Sequence, residues 1–197
     1  MMLLDIAAAL SRPPSTRKRQ RDVVMFGGTH KIGPSHYLAG TWVWDGSTWT
    51  QQSPATSPPA RFGAAMAYDA ATGNVVMFSG YSSSLLLSDT WVWDGSNWTE
   101  QSPATSPAAR WGAPMVYDAA TGKVVMFGGF DIATGTNDFA DTWVWDGSTW
   151  TKQAPATSPS ARYEASMAYD AATGNVVMFG GFETTAVQPR GDTWIWG

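Results

Sequence analysis

Residues 41–50 read TWVWDGSTWT, and the phrase returns as TWVWDGSNWT at 90–99 and TWVWDGSTWT at 142–151. Working outward from it, VVMF begins at residues 23, 75, 124 and 176, and the TW of the opening phrase begins at 41, 90, 142 and 193. A third block appears as ARFGAAMAYD, ARWGAPMVYD and ARYEASMAYD, carrying Arg61, Arg110 and Arg162, and is absent before the first VVMF. A repeat of 49–52 residues therefore organises the chain, and each repeat should be one supersecondary unit that buries its apolar face only against its neighbours.

Within a unit the pattern is that of short strands. AAMAYD (64–69) is followed by AATGN, whose glycine suits the positive φ of a tight reversal. VVMFSG (75–80) is apolar on both faces, as expected for a strand buried within stacked sheets. TWVWD (90–94) alternates, and the Asp-Gly after it signals a hairpin into NWTEQ. No segment shows helical periodicity. The expectation is an all-β chain of about four units, each of four antiparallel strands, over 23–53, 61–102, 110–154 and 162–197. Trp42 and Trp44 lie two apart and so share one strand face, as do Trp91/Trp93, Trp143/Trp145 and Trp194/Trp196. Recurrence in every unit assigns them, with Trp49, Trp98 and Trp150, to packing between units rather than to a ligand.

These blocks carry a resemblance. An Arg-aromatic pair, VVMF followed by paired glycines (Gly27-Gly28, Gly128-Gly129, Gly180-Gly181, with Ser79-Gly80 as the departure), then W-x-W-D and a spaced Trp resemble the kelch repeat, as in the central domain of galactose oxidase. The similarity spans residues 23–197 and implies a kelch-type β-propeller. It implies no single function, because such propellers serve enzymes, cytoskeletal proteins and substrate adaptors. The copper centre of the oxidase uses two His, two Tyr and a cross-linked Cys. This chain has no Cys and only His30 and His36, so the resemblance carries the architecture and not the redox chemistry. No catalytic residue, cofactor or metal site is expected.

Charge and composition narrow the partners. Residues 1–22 hold Arg12, Arg17, Lys18, Arg19 and Arg21 and read as a disordered basic N-terminal segment. The remaining 175 residues carry seven basic against fourteen acidic side chains, which disfavours nucleic acid. No apolar run reaches the ~18 residues that span a bilayer, and the absence of cysteine leaves the compartment unknown.

Recognition is expected on one face. The AATGN and DGS turns are nearly invariant and share one side of the units, whereas the loops 29–40, 81–89, 130–141 and 182–192 share the other and differ in content. Candidate ligand-binding residues are Phe62, Trp111 and Tyr163 at the start of the first strands, with His36, Tyr37, Tyr81, Phe130, Phe182 and Arg190 from the loops. Leu85, Leu86 and Leu87 are expected to tuck beneath a neighbouring loop. Structural pairs Arg61–Asp89, Arg110–Asp141 and Arg162–Asp192 are expected to hold the loop bases. The function expected is a non-catalytic interaction scaffold for a protein or glycan, with the propeller part of a larger secreted carbohydrate-active enzyme as the alternative.

Closure is the weak point of this architecture. The first unit has no recognisable first strand, since STRKRQR is too charged for an innermost position, and the last stops before its fourth. Fourteen strands are expected, in an incomplete or open propeller derived from a longer one and able to self-associate through its end units.

Overall fold

The structure, a computed structural model, describes residues 7–10, 22–30, 37–83, 85–132, 137–185 and 188–197. In chain order the strands are β1 (Ala7–Leu10), β2 (Val23–Phe26), β3 (Thr41–Trp44), β4 (Trp49–Gln51), β5 (Ala65–Asp69), β6 (Asn74–Phe78), β7 (Tyr81–Ser82), β8 (Leu85–Leu86), β9 (Thr90–Trp93) and β10 (Trp98–Gln101). They continue as β11 (Met115–Asp118), β12 (Lys123–Phe127), β13 (Phe130–Asp131), β14 (Asn137–Asp138), β15 (Thr142–Trp145), β16 (Trp150–Lys152), β17 (Ser166–Asp170), β18 (Asn175–Phe179), β19 (Phe182–Glu183), β20 (Gln188–Pro189) and β21 (Thr193–Trp196). The fold is all-β, with no helix among the described residues.

Four antiparallel sheets follow one another along the chain: β1-β2-β3-β4, β5-β6-β9-β10, β11-β12-β15-β16 and the three-stranded β17-β18-β21. The registers repeat: Val76↔Val92, Val125↔Val144 and Val177↔Ile195 occupy one place in successive sheets. Their innermost strands lie beside one another in the order β1, β5, β11, β17, and among the described residues the series does not close into a ring. Two features depart from the sequence reading. First, residues 1–22 do contribute a strand: Ala7–Leu10 pairs antiparallel with Val23–Phe26. The pairing segment is AAAL, upstream of the charged run that argued against it; residues 11–21 lie outside the described set. Second, each variable loop after the first unit carries a two-residue hairpin, β7-β8, β13-β14 or β19-β20, too short for hydrophobic periodicity to reveal.

The invariant turns are built by their aspartates. Asp45 Oδ1 accepts the backbone N–H of Ser47 at 2.8 Å and of Thr48 at 2.9 Å, while Gly46 takes a φ of 97°. Trp44 pairs with Trp49 across it, so the connection is a four-residue Asx-capped loop rather than a two-residue turn. The Asp of each Tyr-Asp does the same for AATG: buried Asp69 accepts Ala71 N at 3.0 Å and Thr72 Oγ1 at 2.9 Å.

Strand alternation gives every sheet two unlike faces. Toward the next unit, a sheet presents the second and fourth residues of VVMF and the Val or Ile of TWVW or TWIW. Toward the preceding unit it presents the first and third residues of VVMF, the paired tryptophans and the fourth-strand Trp. Thus Val24, Phe26 and Val43 pack against Met66, Val75, Met77, Trp91, Trp93 and Trp98, and Val76, Phe78 and Val92 pack against Val124, Met126, Trp143, Trp145 and Trp150. The fourth-strand indole is seated in the same way twice. Trp98 stands edge-on to Phe26 at 5.4 Å and donates Nε1 to Thr41 Oγ1 at 2.9 Å; Trp150 meets Phe78 at 5.3 Å and donates to Thr90 Oγ1 at 3.0 Å. The interior tryptophans are structural, and their burial follows from sitting between two units.

Candidate functional site

The loop-bearing side of each unit starts from a buried arginine. Arg61 is fully buried and donates Nη1 and Nη2 to the two oxygens of Asp89, each at 2.7 Å, Nη1 to Ser79 O at 2.8 Å and Nε to Pro59 O at 3.1 Å. Arg110 grips Asp141 at 2.7 and 3.2 Å, and Arg162 grips Asp192 at 2.6 and 2.9 Å. Each aspartate also accepts the indole N–H two residues on: Trp91 to Asp89 at 2.7 Å, Trp143 to Asp141 at 2.7 Å, Trp194 to Asp192 at 2.6 Å. Both residues of each pair are thus committed within the chain, and the arginines are fixtures of the loop base rather than anion ligands. Burial pushes the Asp141 carboxyl up, but the Arg110 hydrogen bonds and charge, the Trp143 indole and the Lys152 ammonium together hold it below the usual carboxylate range. The hydrogen bond from Arg162 does the same, more strongly, for Asp192.

Fixing the arginine fixes the aromatic residue after it. Phe62, Trp111 and Tyr163 form reciprocal backbone bridges with Tyr81, Phe130 and Phe182, the first residues of the hairpins β7, β13 and β19. The bridge closes because the second glycine of each pair lets the backbones approach: Gly80 and Gly181 take φ values of 103° and 96°, and a Cβ on either would stand 2.9 Å from the carbonyl oxygen of Phe62 or Tyr163. Rings from neighbouring units then meet. Tyr37 stacks on Phe62 at 5.4 Å, Phe62 lies 5.9 Å from Trp111, and Trp111 lies 5.2 Å from Tyr163. The hairpin rings fill in behind, with Tyr81 5.6 Å from Phe62, Phe130 5.3 Å from Tyr163 and Phe182 6.0 Å from Tyr163.

The result is one continuous aromatic arc of Tyr37, Phe62, Tyr81, Trp111, Phe130, Tyr163 and Phe182 across all four units. Phe130 is buried, Phe182 is exposed, and the other five are half-buried. The Trp111 indole N–H is buried without a hydrogen-bond partner. Burial raises the hydroxyl pKa of Tyr37, helped by Tyr81, and of Tyr163, helped by Glu164 and Asp138. Both hydroxyls are therefore protonated at neutral pH and able to donate.

All seven aromatic candidates come together. Arg190 stands at the fourth-unit end, paired with Glu183, and His36 lies outside the described residues. Leu85 departs from its expected place: it is exposed at the end of the β7-β8 hairpin while Leu86 and Leu87 are half-buried, because a two-residue strand cannot turn three consecutive side chains inward. Sequence reasoning missed the bond between the third and fourth loops, where Asp138 accepts Thr184 N at 2.6 Å and Thr184 Oγ1 at 2.8 Å; neither position repeats, so no periodic signal marked it. Ser79, which the sequence marks only as the departure from the paired glycines, copies their conformation with a φ of 62°, and its Oγ accepts Arg110 N at 2.9 Å.

An apolar groove also lies between the third and fourth sheets, lined by Phe127, Thr142, Met178, Trp194 and Trp196. Phe127 and Thr142 hold the places of Phe26/Thr41 and Phe78/Thr90, which seat Trp98 and Trp150, so this groove is a packing seat that no described residue fills. Among the described residues no three His, Cys, Asp or Glu side chains gather as metal ligands. Compared with known proteins, the chain matches no protein-family model and no curated protein.

Proposed function

We propose that the chain is a kelch-type β-propeller scaffold, without catalytic residues of its own, that recognises a protein or glycan through the aromatic arc on its variable-loop side. The observation that carries this reading is the continuity of the arc. Residues that differ from unit to unit (Phe62, Trp111, Tyr163) sit at equivalent places and meet ring to ring across units, whereas the residues that are invariant between units are consumed in packing and capping. A row of half-buried rings with Tyr hydroxyls presents large, rigid, amphipathic contact area at small entropic cost. The Arg–Asp pairs supply the rigid base that such a surface needs to bind without reorganising.

The test is Trp111→Ala in the purified chain, probed on a glycan array and by pull-down. Loss of the ligand with a melting temperature within about 3 °C of wild type, a shift corresponding to roughly 1 kcal/mol in a chain of this size, supports the arc as a binding surface. A large fall in melting temperature with retained binding would make Trp111 a packing residue and refute the reading.

A further inference from the structure

The last copy of the Arg-aromatic block departs from the other two at one place. Residues 61–63 and 110–112 read Arg-Phe-Gly and Arg-Trp-Gly, whereas 162–164 read Arg-Tyr-Glu. Gly63 and Gly112 take φ values of 65° and 67°, and Glu164 keeps that left-handed backbone with a φ of 52°, a conformation that costs stability in any residue with a side chain. The backbone demand is shared: Gly112 N donates to Gly63 O at 2.9 Å, and Glu164 N donates to Gly112 O at 2.7 Å. Glycine would meet it without strain, so the hydrogen bond does not call for the carboxylate. The side chain of Glu164 is exposed and leans back on the third unit, since a Cβ on Gly112 would meet Glu164 Cγ at 3.4 Å and Tyr163 Cδ2 at 3.6 Å. This puts the carboxylate beside the Trp111–Tyr163 ring pair, whose centroids lie 5.2 Å apart. After burial, it is the Glu164 and Asp138 carboxylates that raise the Tyr163 hydroxyl pKa, so the charges acting on this part of the arc are negative.

We infer that the Glu164 carboxylate and the rings of Trp111 and Tyr163 form a seat for a guanidinium group, so that the arc recognises a protein presenting an arginine side chain there. This rests on the arc being the recognition surface and adds the class of ligand it takes. A guanidinium suits a ring face and a carboxylate at once, because it is planar, weakly hydrated and carries its donors at the edge. A sugar hydroxyl could bond the carboxylate but would gain little from the negative charge around Tyr163. The chain builds the same kind of seat internally: the guanidinium of Arg110 lies 4.0 Å from the centroid of Phe139 while its Nη1 and Nη2 donate to Asp141 at 2.7 and 3.2 Å.

The probe is the peptide acetyl-Gly-Arg-Gly-amide, with citrulline, the neutral isostere of arginine, in its place as the control. Each is titrated into the isotope-labelled full chain while NMR follows the Trp111 indole N–H, assigned by its absence from Trp111→Ala. Arginine should shift that resonance and citrulline should not, and Glu164→Gln should weaken the arginine response about tenfold. Glu164→Gly, which restores the residue of the other two blocks, should lose the response equally while raising the melting temperature by roughly 2–4 °C, so that loss of binding there is not loss of fold. Equal shifts with arginine and citrulline, no shift with either, or an arginine response untouched by Glu164→Gln would each overturn the inference. A ligand from the glycan array or pull-down that is lost in Trp111→Ala but kept in Glu164→Gln would overturn it and leave the arc as the binding surface. A ligand kept in both variants would overturn the arc as well.

Discussion

Asp89→Ala puts the Arg–Asp base to a quantitative test. The substitution strips Arg61 of two 2.7 Å hydrogen bonds while the guanidinium stays fully buried, and it orphans the Trp91 indole N–H that shared the same carboxylate. Breaking a buried ion pair by removing one partner costs about 3–5 kcal/mol, against about 0–1 kcal/mol for a surface pair. In a chain of this size a kilocalorie shifts the melting temperature by roughly 2–4 °C, so the expected fall is roughly 6–20 °C. The assay is urea denaturation of wild type, Asp89→Ala, Arg61→Met and the double variant, followed by tryptophan fluorescence. Because an uncompensated charge is the cause, Arg61→Met/Asp89→Ala should be more stable than Asp89→Ala alone. A loss under about 1 kcal/mol, or a double variant no better than the single, would refute a buried pair as the anchor of the loop.

Acid should act through the same pairs. Asp141 and Asp192 titrate below an ordinary carboxylate in the folded chain, so their stabilisation is complete above the unfolded value near pH ~3.9 and is lost as pH falls below it towards the folded values. Denaturation midpoints should therefore hold from neutrality to about pH 4 and drop beneath it, less steeply in Asp141→Asn; a flat profile to pH ~2 would contradict the linkage. Gly128→Ala and Gly180→Ala separate conformation from contact, because both residues have φ near 70° but a Cβ at Gly128 would stand 2.2 Å from Arg162 O, while one at Gly180 meets only Arg190 O at 3.2 Å. The first should cost about 2–5 kcal/mol and the second about 1–2 kcal/mol, measured by the same denaturation, and equal costs would show that the next unit's approach is not what demands glycine.

What the sequence made legible was whatever repeats. TWVW, VVMF and Tyr-Asp recur in a register that fixes strand, face and turn together, so three sheets and the assignment of Trp93, Trp98, Trp145 and Trp150 to packing followed from spacing alone. The pairs Arg61–Asp89, Arg110–Asp141 and Arg162–Asp192 were legible for the same reason: both partners recur and both fall at the loop end of their strands. Elements that occur once, or that differ in each unit, were not. Ala7–Leu10 pairs with β2 without sharing the Arg-aromatic block of the other first strands, and the hairpins β7-β8, β13-β14 and β19-β20 share a position but no residue pattern. Their strands are held by backbone bonds to the second paired glycine, as in Leu87 N to Gly80 O and Phe139 N to Gly129 O, and backbone bonding leaves little trace in side-chain periodicity.

The division between repeated and unrepeated residues also separates scaffold from surface. A residue that recurs in every unit answers a demand that every unit shares: the Arg carbonyl received by the second glycine of the preceding pair, at 2.8 Å for Gly28, 3.1 Å for Gly80 and 2.9 Å for Gly129, is such a demand, and it leaves those positions no freedom. Among the described residues no arginine carbonyl reaches Gly181, and Asp192 has a side chain 41% exposed where Asp89 and Asp141 have 16% and 14%. Burial of a loop base therefore depends on the neighbour that follows it.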